Sequence, residues 1–358
     1  MPDFRDGNPY QSLLSNAISK LGCDVLFARG YRRVFPLYRA MCEQSSPVNI
    51  LHLHWLTPYL RGNNVVSYAI YALKLVFDVW LVRLRGGRIV WTVHNKMSHE
   101  ARFLRLERWV MNRIANSATC VIFHSNAARA DLKEEFNNNK AKAVVIPHGH
   151  YRDVYHPAID RQLARRELDL PTDSRLYLCF GLVRKYKNIE GLVGAWKQNN
   201  GPLADSVLLV AGEPLPTEYG NEISELVGYT PNTIAHLRHI PAEQVHLYFS
   251  AADIVVLPFH RTLTSGSLLL AMSYDKPIVA PKFDVITEVL GAARELLYDP
   301  LDDSGLSTAL RQAAMAELTS VARLTRRECD KLSWTMIAEQ TVSAYRSVFH
   351  QLDRTTGS

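Results

Sequence analysis

Asp253 to Pro281 reads DIVVLPFHRTLTSGSLLLAMSYDKPIVAP, and this stretch decides the fold. DIVVLP is a short, unbroken apolar run closed by a proline, the pattern of a strand buried on both faces. An apolar helix is predicted from about Ser265, and KPIVAP is the next strand. Strand, helix and strand in such quick succession belong to a parallel sheet. Between the first strand and the helix lies a polar turn, Thr264-Ser265-Gly266-Ser267, with Arg261 just before it. The backbone amides of Ser265, Gly266 and Ser267 would be the unpaired donors of a helix N-terminus, where an anion binds readily. The hydroxyls add donors, and glycine allows close approach.

The same alternation extends outward in both directions. RLYLCFG (175–181), SVLLVAG (206–212), NTIAHLRH (232–239), DIVVLP (253–258) and KPIVAP (276–281) are predicted strands of one unit. NILHLHW (49–55), RIVWTV (88–93), TCVIFH (119–124) and AVVIP (143–147) are those of an earlier one. Helix ends are marked by Asn8-Pro9, Gly22, Gly86-Gly87 and Ser125. IPHGHYRDVYHP interrupts any regular pattern and reads as the link. The expected class is α/β, with two Rossmann-like doubly wound domains facing a deep cleft. Residues 1–147 form the first domain and 148–333 the second, while the apolar-striped helix in 334–358 packs back on the first. A doubly wound domain ordinarily opens with a strand, yet Met1 directly precedes the turn DFRDGNP. That strand therefore lies outside this sequence, or the edge is built differently.

Composition narrows the function classes. A chain of 358 residues suits two domains, and 47% hydrophobic with 21% charged residues describes a globular protein. The formal charge of +6 is spread along the chain, without the aromatic-basic pattern of a nucleic-acid surface. It suits an enzyme of anionic phosphates or one resting on an acidic membrane face. Five scattered cysteines without metal-ligand spacing read as reduced core residues of a cytosolic protein. The polar N-terminus carries no signal-peptide pattern. VVSYAIYALKLVFDVWLV, from Val65, is broken by Lys74 and Asp78, so it is read as a buried core helix ahead of a membrane-surface helix. ARFLRLERWVMNRIAN (101–116) joins Arg102, Arg105, Arg108 and Arg113 to Phe103, Leu104, Leu106, Trp109 and Val110. It is either a peripheral membrane contact or an ordinary sheet-packing helix.

Three loops of the second unit carry candidate chemistry. GLVRKYKN (181–188) sets Gly181, Arg184, Lys185 and Lys187 at a strand end, AGEP (211–214) follows the next strand, and the turn 264–267 completes the set. Arg184 and Lys187 would neutralise a diphosphate held by Thr264, Ser265, Gly266 and Ser267. In the first unit His52 and His54 share one side of a strand, so at least one is expected in the core. His94 ends its strand beside Asn95, where it contacts a sugar or takes a proton. His94, His99 and Glu100 match no strong metal signature, and no metal is expected.

The succession LHLHW, WTVHN, FHSNAARADL, VIPHGHY, FGLVRKYKN, AADIVVLP and TSGSLLLAMSYDKPIVAP resembles the bacterial family 4 glycosyltransferases of the GT-B fold. The resemblance covers nearly the whole chain. It implies transfer of a hexose from a UDP- or GDP-sugar to a glycan, lipid-linked or small-molecule acceptor, without a required metal and with retention. It assigns Arg184, Lys187 and the amides near Gly266 to the donor diphosphate and His239, Ile240 and Pro241 to the base. His94 falls to the sugar and acceptor side, with His54, Asn95, His99 and Glu100 as its neighbours. Family members usually carry a pair of glutamates here, at the positions of Thr262 and Leu270, and both are absent. The TSGS form occurs in a recognisable subgroup, which points to a variant donor site. Under retention the leaving phosphate accepts the proton; inversion would need a base, for which Glu100 and His94 are the candidates. The alternatives are a nucleotide-sugar-binding pseudoenzyme or scaffold subunit and an epimerase of the same fold. The expected location is the cytoplasm, including the inner face of the membrane.

Overall fold

The structure, a computed structural model, describes residues 1–5, 8–28, 33–45, 47–96, 103–133, 142–198, 201 and 203–350. Its contacts divide the chain into two units, Met1–Gly149 with Trp334–Ser358, and His150–Ser333. Unit 1 contains α1 (Tyr10–Ser19), α2 (Pro36–Cys42), β1 (Ile50–Leu53), α3 (Val65–Leu84), β2 (Arg88–Val93), α4 (Leu104–Ser117), β3 (Cys120–Phe123), α5 (Asn126–Lys133) and β4 (Lys142–Val145). Unit 2 runs α6 (Arg161–Glu167), β5 (Arg175–Phe180), α7 (Ile189–Lys197), β6 (Ser206–Ala211), α8 (Thr217–Gly228), β7 (Thr233–His236), α9 (Ala242–Ala251), β8 (Ile254–Val256), α10 (Gly266–Ser273), β9 (Ile278–Pro281), α11 (Asp284–Leu290), β10 (Leu297–Tyr298), α12 (Gly305–Met315) and α13 (Leu318–Asp330). The last helix, α14 (Trp334–His350), returns to unit 1.

Both sheets are parallel, and the two units are the Rossmann-like α/β domains that the strand pattern predicts. In unit 1 the order is β1-β2-β3-β4. Register matters here: Val93 pairs with Phe123, and Phe123 with Val145, so the residues just past β2, β3 and β4 lie side by side. Near the N-terminus, Pro2 bridges Ala28 in parallel fashion. One face of the unit is closed by α1 and α14. Tyr10, Leu14 and Ile18 meet Ile337, Ala338 and Val342 over Val90, Cys120 and Ile122. Each such fully buried aliphatic side chain stabilises the fold by about 1.5–3 kcal/mol. Gly149 is required at this junction, because a Cβ would sit 2.3 Å from the Trp334 ring.

Helix α3 departs from the core-helix expectation. Asn64 and Ser67 form a capping box at its start. Tyr68, Ala72, Leu75, Val79 and Val82 bury one stripe, and the deeply buried Asp78 accepts from the Leu37 and Tyr38 amides, capping α2. The opposite stripe, Val66, Ile70, Leu73, Phe77, Trp80 and Leu84, is exposed. The helix is long and apolar enough to cross a membrane, but only a third of its most apolar window is buried. The helix is apolar all round, whereas among the described residues only one face has a partner.

Unit 2 has the order β10-β9-β8-β5-β6-β7. Its central strands are buried along their whole length, which is why they read as continuous apolar runs. Chain order reverses between β5 and β8, so the loops after these two strands flank the topological switch point, where such sheets bind ligands.

Candidate functional site

The loops after β5, β6 and β8 are laced together by backbone. Val183 donates to the Glu213 carbonyl at 2.8 Å, and His260 donates to the Tyr186 carbonyl at 3.0 Å. Gly212, at φ +144°, passes so close to Gly181 that a Cβ would lie 2.2 Å from its carbonyl oxygen. Gly181, at φ +103°, leaves room for the Lys187 ammonium, which is 2.9 Å from where a Cβ would stand. Arg184 is extended and opens the short 3-10 turn Lys185–Lys187, and Asn188, left-handed, starts α7.

Lys187 is the central feature. It is only 4% exposed, and its Nζ donates to the Phe180 carbonyl at 3.1 Å and lies 3.4 Å from Ser267 Oγ. Burial pushes its pKa down to about 8, with a smaller opposing effect from Cys179 and a further lowering by Arg184. No carboxylate among the described residues pairs with it. A buried ammonium without a counter-charge is costly unless an anion joins it. Ser265 caps α10, accepting from the Leu268 amide at 3.1 Å. The Gly266 and Ser267 amides stand in the open first turn, and Thr264 Oγ1 is buried without a partner among the described residues. Gly266 itself has no strained φ, and a Cβ there would meet nothing closer than Tyr151 Oη at 3.5 Å.

The remaining donor-side candidates lie in the loop after β7. His239 is exposed and sits 3.5 Å from Glu213. Ile240 is half-buried, and Pro241 immediately precedes α9. At the two positions where glutamates are usual, Thr262 is half-buried and Leu270 is buried in α10.

In unit 1 the strands end in histidines: His54 after β1, His94 after β2, His124 after β3 and His148 after β4. All four are buried, as is His52 within β1. His52 is a core histidine, bonded to Tyr345 Oη at 2.6 Å and to Thr92 Oγ1 at 2.7 Å. His94 stacks on Trp55 with centroids 4.4 Å apart, and both its nitrogens face other imidazoles: Nε2 is 3.1 Å from His54 Nδ1, and Nδ1 is 3.3 Å from His124 Nε2. His124 Nδ1 donates to the Ile146 carbonyl at 3.0 Å, and His148 Nδ1 to the Gly149 carbonyl at 2.8 Å. Burial holds all five rings neutral: His52 falls to about 3, His124 to about 4 and His148 to about 3, with His54 and His94 also well below the ordinary value. Tyr10 walls the cluster, packing against His54, His94, His124 and His148. His54, His94, Asn95 and the buried Glu107 line a small cavity. His99 and Glu100 lie outside the described residues, as does Arg102. Among the described residues no group of three His, Cys, Asp or Glu side chains forms a metal site.

His124, His148, Tyr10 and Glu107 were not singled out from sequence. The signal was present for the histidines, since VIFH and VIPH each end a strand as WTVH does.

Helix α4 packs on α3, burying Glu107, Val110, Met111, Ile114 and Ala115. Trp109 is half-buried beneath the Arg113 guanidinium. That is the ordinary sheet-packing arrangement, and the larger exposed apolar face belongs to α3.

Two parallel α/β units of this kind, the second with a buried ammonium and an open helix N-terminus beside its switch point, are the domains of the GT-B class. Solved structures share the fold: HepE from Anabaena in complex with UDP and glucose has a TM-score of 0.71 at 15% identity, covering 97% of this chain and 98% of that one. Sucrose-phosphate synthase from Thermosynechococcus elongatus has a TM-score of 0.69 at 21% identity, covering 90% and 79%. Residues 174–315 match the family Glycosyl transferases group 1, and residues 14–152 match Glycosyltransferase Family 4. A GDP-mannose:glycolipid 4-beta-D-mannosyltransferase from Xanthomonas campestris pv. campestris is 28% identical over 307 residues, spanning 84% of this chain and 80% of the relative. A D-inositol 3-phosphate glycosyltransferase from Corynebacterium urealyticum is 23% identical over 289 residues, spanning 76% and 68%. The chain belongs to the group 1, family 4-like glycosyltransferases, enzymes that draw their sugar from a nucleotide sugar. The resemblance read from the motifs is borne out.

Proposed function

We propose that this glycosyltransferase moves a hexose from a UDP- or GDP-sugar to a glycan or lipid-linked acceptor, with no required metal. The observation that carries the reading is Lys187, a buried ammonium without a carboxylate partner among the described residues, beside the open first turn of α10. Arg184, Lys187 and the amides of Gly266 and Ser267 hold the diphosphate and stabilise the charge that grows on it as the sugar leaves. That is the task a metal ion would otherwise perform. His239, Ile240 and Pro241 hold the base. With Leu270 and Thr262 where acids are usual, sugar recognition falls to hydroxyls and backbone. The test is a thermal-shift series with UDP, GDP, ADP and dTDP, followed by turnover of the matching sugars. One diphosphate should raise the melting temperature selectively, since a ligand of the native state stabilises it. No shift with any of them sinks the reading.

For the stereochemistry, inversion is favoured over the retention that the family resemblance implies. The Xanthomonas relative is named for a β-mannosyl product from GDP-mannose, a donor whose own sugar–phosphate bond is α. Inversion needs a base on the acceptor side, and unit 1 holds a set of neutral imidazoles. The anomeric proton coupling of the product decides between the two outcomes.

The peripheral membrane contact is assigned to α3, at the cytoplasmic face. Its exposed stripe runs to Leu84, between the exposed Arg83 and Arg85 at the helix end, cations that suit an anionic bilayer. Flotation with phosphatidylglycerol vesicles should carry the protein, and Ile70→Glu with Phe77→Glu should release it without lowering its melting temperature. Equal flotation of the double variant refutes this contact.

A further inference from the structure

The hydrogen bonds among the unit 1 histidines have a fixed direction. The Ile146 carbonyl can only accept, so His124 Nδ1 carries the proton. A neutral His124 then presents a bare Nε2, and His94 must donate to it from Nδ1. His94 Nε2 is therefore bare, and His54 donates to it from Nδ1. This leaves His54 Nε2 as a bare acceptor. It is buried and has no hydrogen-bond partner among the described residues. The chain thus has one satisfied end, a backbone carbonyl, and one open end.

The open end belongs to a ring that lines the small cavity with Asn95 and Glu107. The cavity measures about 30 Å³, room for a water or a ligand hydroxyl. A buried acceptor without a partner costs stability. A ligand hydroxyl entering the cavity would satisfy it.

We propose that His54, His94 and His124 form a proton relay, and that His54 Nε2 is the catalytic base that takes the proton of the acceptor hydroxyl. The inference rests on the proposed inverting transfer. As the acceptor oxygen bonds to the anomeric carbon, its proton moves to His54 Nε2. The bond from that carbon to the diphosphate breaks, and its electron pair leaves with the diphosphate. His54 gives its Nδ1 proton to His94 Nε2, and His94 gives its own to His124 Nε2. The positive charge ends on His124, whose Nδ1 still donates to the Ile146 carbonyl. It stands two rings away from the reacting carbon, which itself becomes positive. Once product leaves, the proton returns along the same bonds to a water in the cavity. His54 touches substrate, whereas His94 and His124 are positioning residues that act through it.

Two measurements test the relay. The first needs no activity: long-range proton–nitrogen correlation spectra of 15N-histidine-labelled protein at neutral pH. His54, His94 and His124 should all appear as neutral rings protonated at Nδ1. Any one of them protonated at Nε2, or charged, overturns the relay. The second is kinetic. His124→Asn keeps a donor for the Ile146 carbonyl but removes the Nε2 acceptor. It should lower kcat tenfold or more, leave KM and nucleotide affinity within twofold, and change a bowed solvent-isotope proton inventory into a linear one. His54→Gln should lower kcat by roughly 10²-fold. Wild-type rate and inventory in His124→Asn, or a product of retained configuration, overturns the proposal. A wild-type enzyme that turns over no nucleotide sugar sinks the proposed function instead, and the tautomer spectra still judge the relay.

Discussion

Lowering the pH from 7 to 5 should unfold unit 1 while unit 2 stays folded. His52, His54, His94, His124 and His148 are buried neutral, and each has a pKa below the ordinary 6.5 because burial penalises the charged ring. An unfolded chain takes up these five protons near pH 6.5, and the folded unit does not. Stability is therefore fully present above about pH 6.5 and is lost as the pH falls below it. Each histidine contributes about 1.4 kcal/mol per pH unit, or roughly 2 kcal/mol between pH 6.5 and 5. The size of each shift scarcely matters, provided every folded pKa lies below 5. Five such groups amount to roughly 10 kcal/mol, comparable to the whole stability of an ordinary domain. Hydrogen exchange at pH 8, 7, 6 and 5 provides the assay. Amides of β1–β4 should lose protection with an uptake approaching five protons, while β5 and β6 should keep theirs. Equal protection of β2 and β3 at pH 8 and pH 5 would refute the reasoning, because it would require the rings to be charged or hydrated in the native state.

Much of the architecture was legible because parallel strands buried on both faces leave unbroken apolar runs. RIVWTV is β2 to the residue, and RLYLCF is β5. Two-residue β10 left no such trace, since Leu297 and Tyr298 are too short a run to carry a period. The start of α10 was legible as well, because a hydroxyl cap and a glycine ahead of an apolar helix are local signals. What sequence withheld depends on register and partners. His94 and His124 are thirty residues apart and become neighbours only because Val93 pairs with Phe123. The pairing of Phe123 with Val145 brings Ile146 to His124, and its carbonyl fixes the direction of the bonds from His54 to His94 and from His94 to His124. Nor does the composition of α3 say that Leu75 is buried and Leu73 exposed.

Three further outcomes are expected. Lys187→Ala should weaken nucleoside diphosphate binding by about 1.5–3 kcal/mol, the range for a charged hydrogen bond, and leave nucleoside binding unchanged; calorimetry with equal diphosphate affinity would remove Lys187 from the site. Asp78→Ala leaves the Leu37 and Tyr38 amides without their cap, at a cost of about 0.5–2 kcal/mol in denaturant melts, with nucleotide affinity untouched. The last concerns two glycines of the candidate anion site with opposite demands. Gly181 holds φ +103°, and a Cβ would stand 2.9 Å from Lys187 Nζ and 3.2 Å from Ser267 Oγ. Gly181→Ala should therefore lose about 1–3 kcal/mol of stability from backbone strain and displace the ammonium as well. Gly266 has neither strain nor crowding, so Gly266→Ala should melt as wild type does. If it nevertheless loses diphosphate affinity, the space above Gly266 is needed by the ligand and not by the fold. A Gly266→Ala protein that binds diphosphate like wild type would place the phosphate away from this turn.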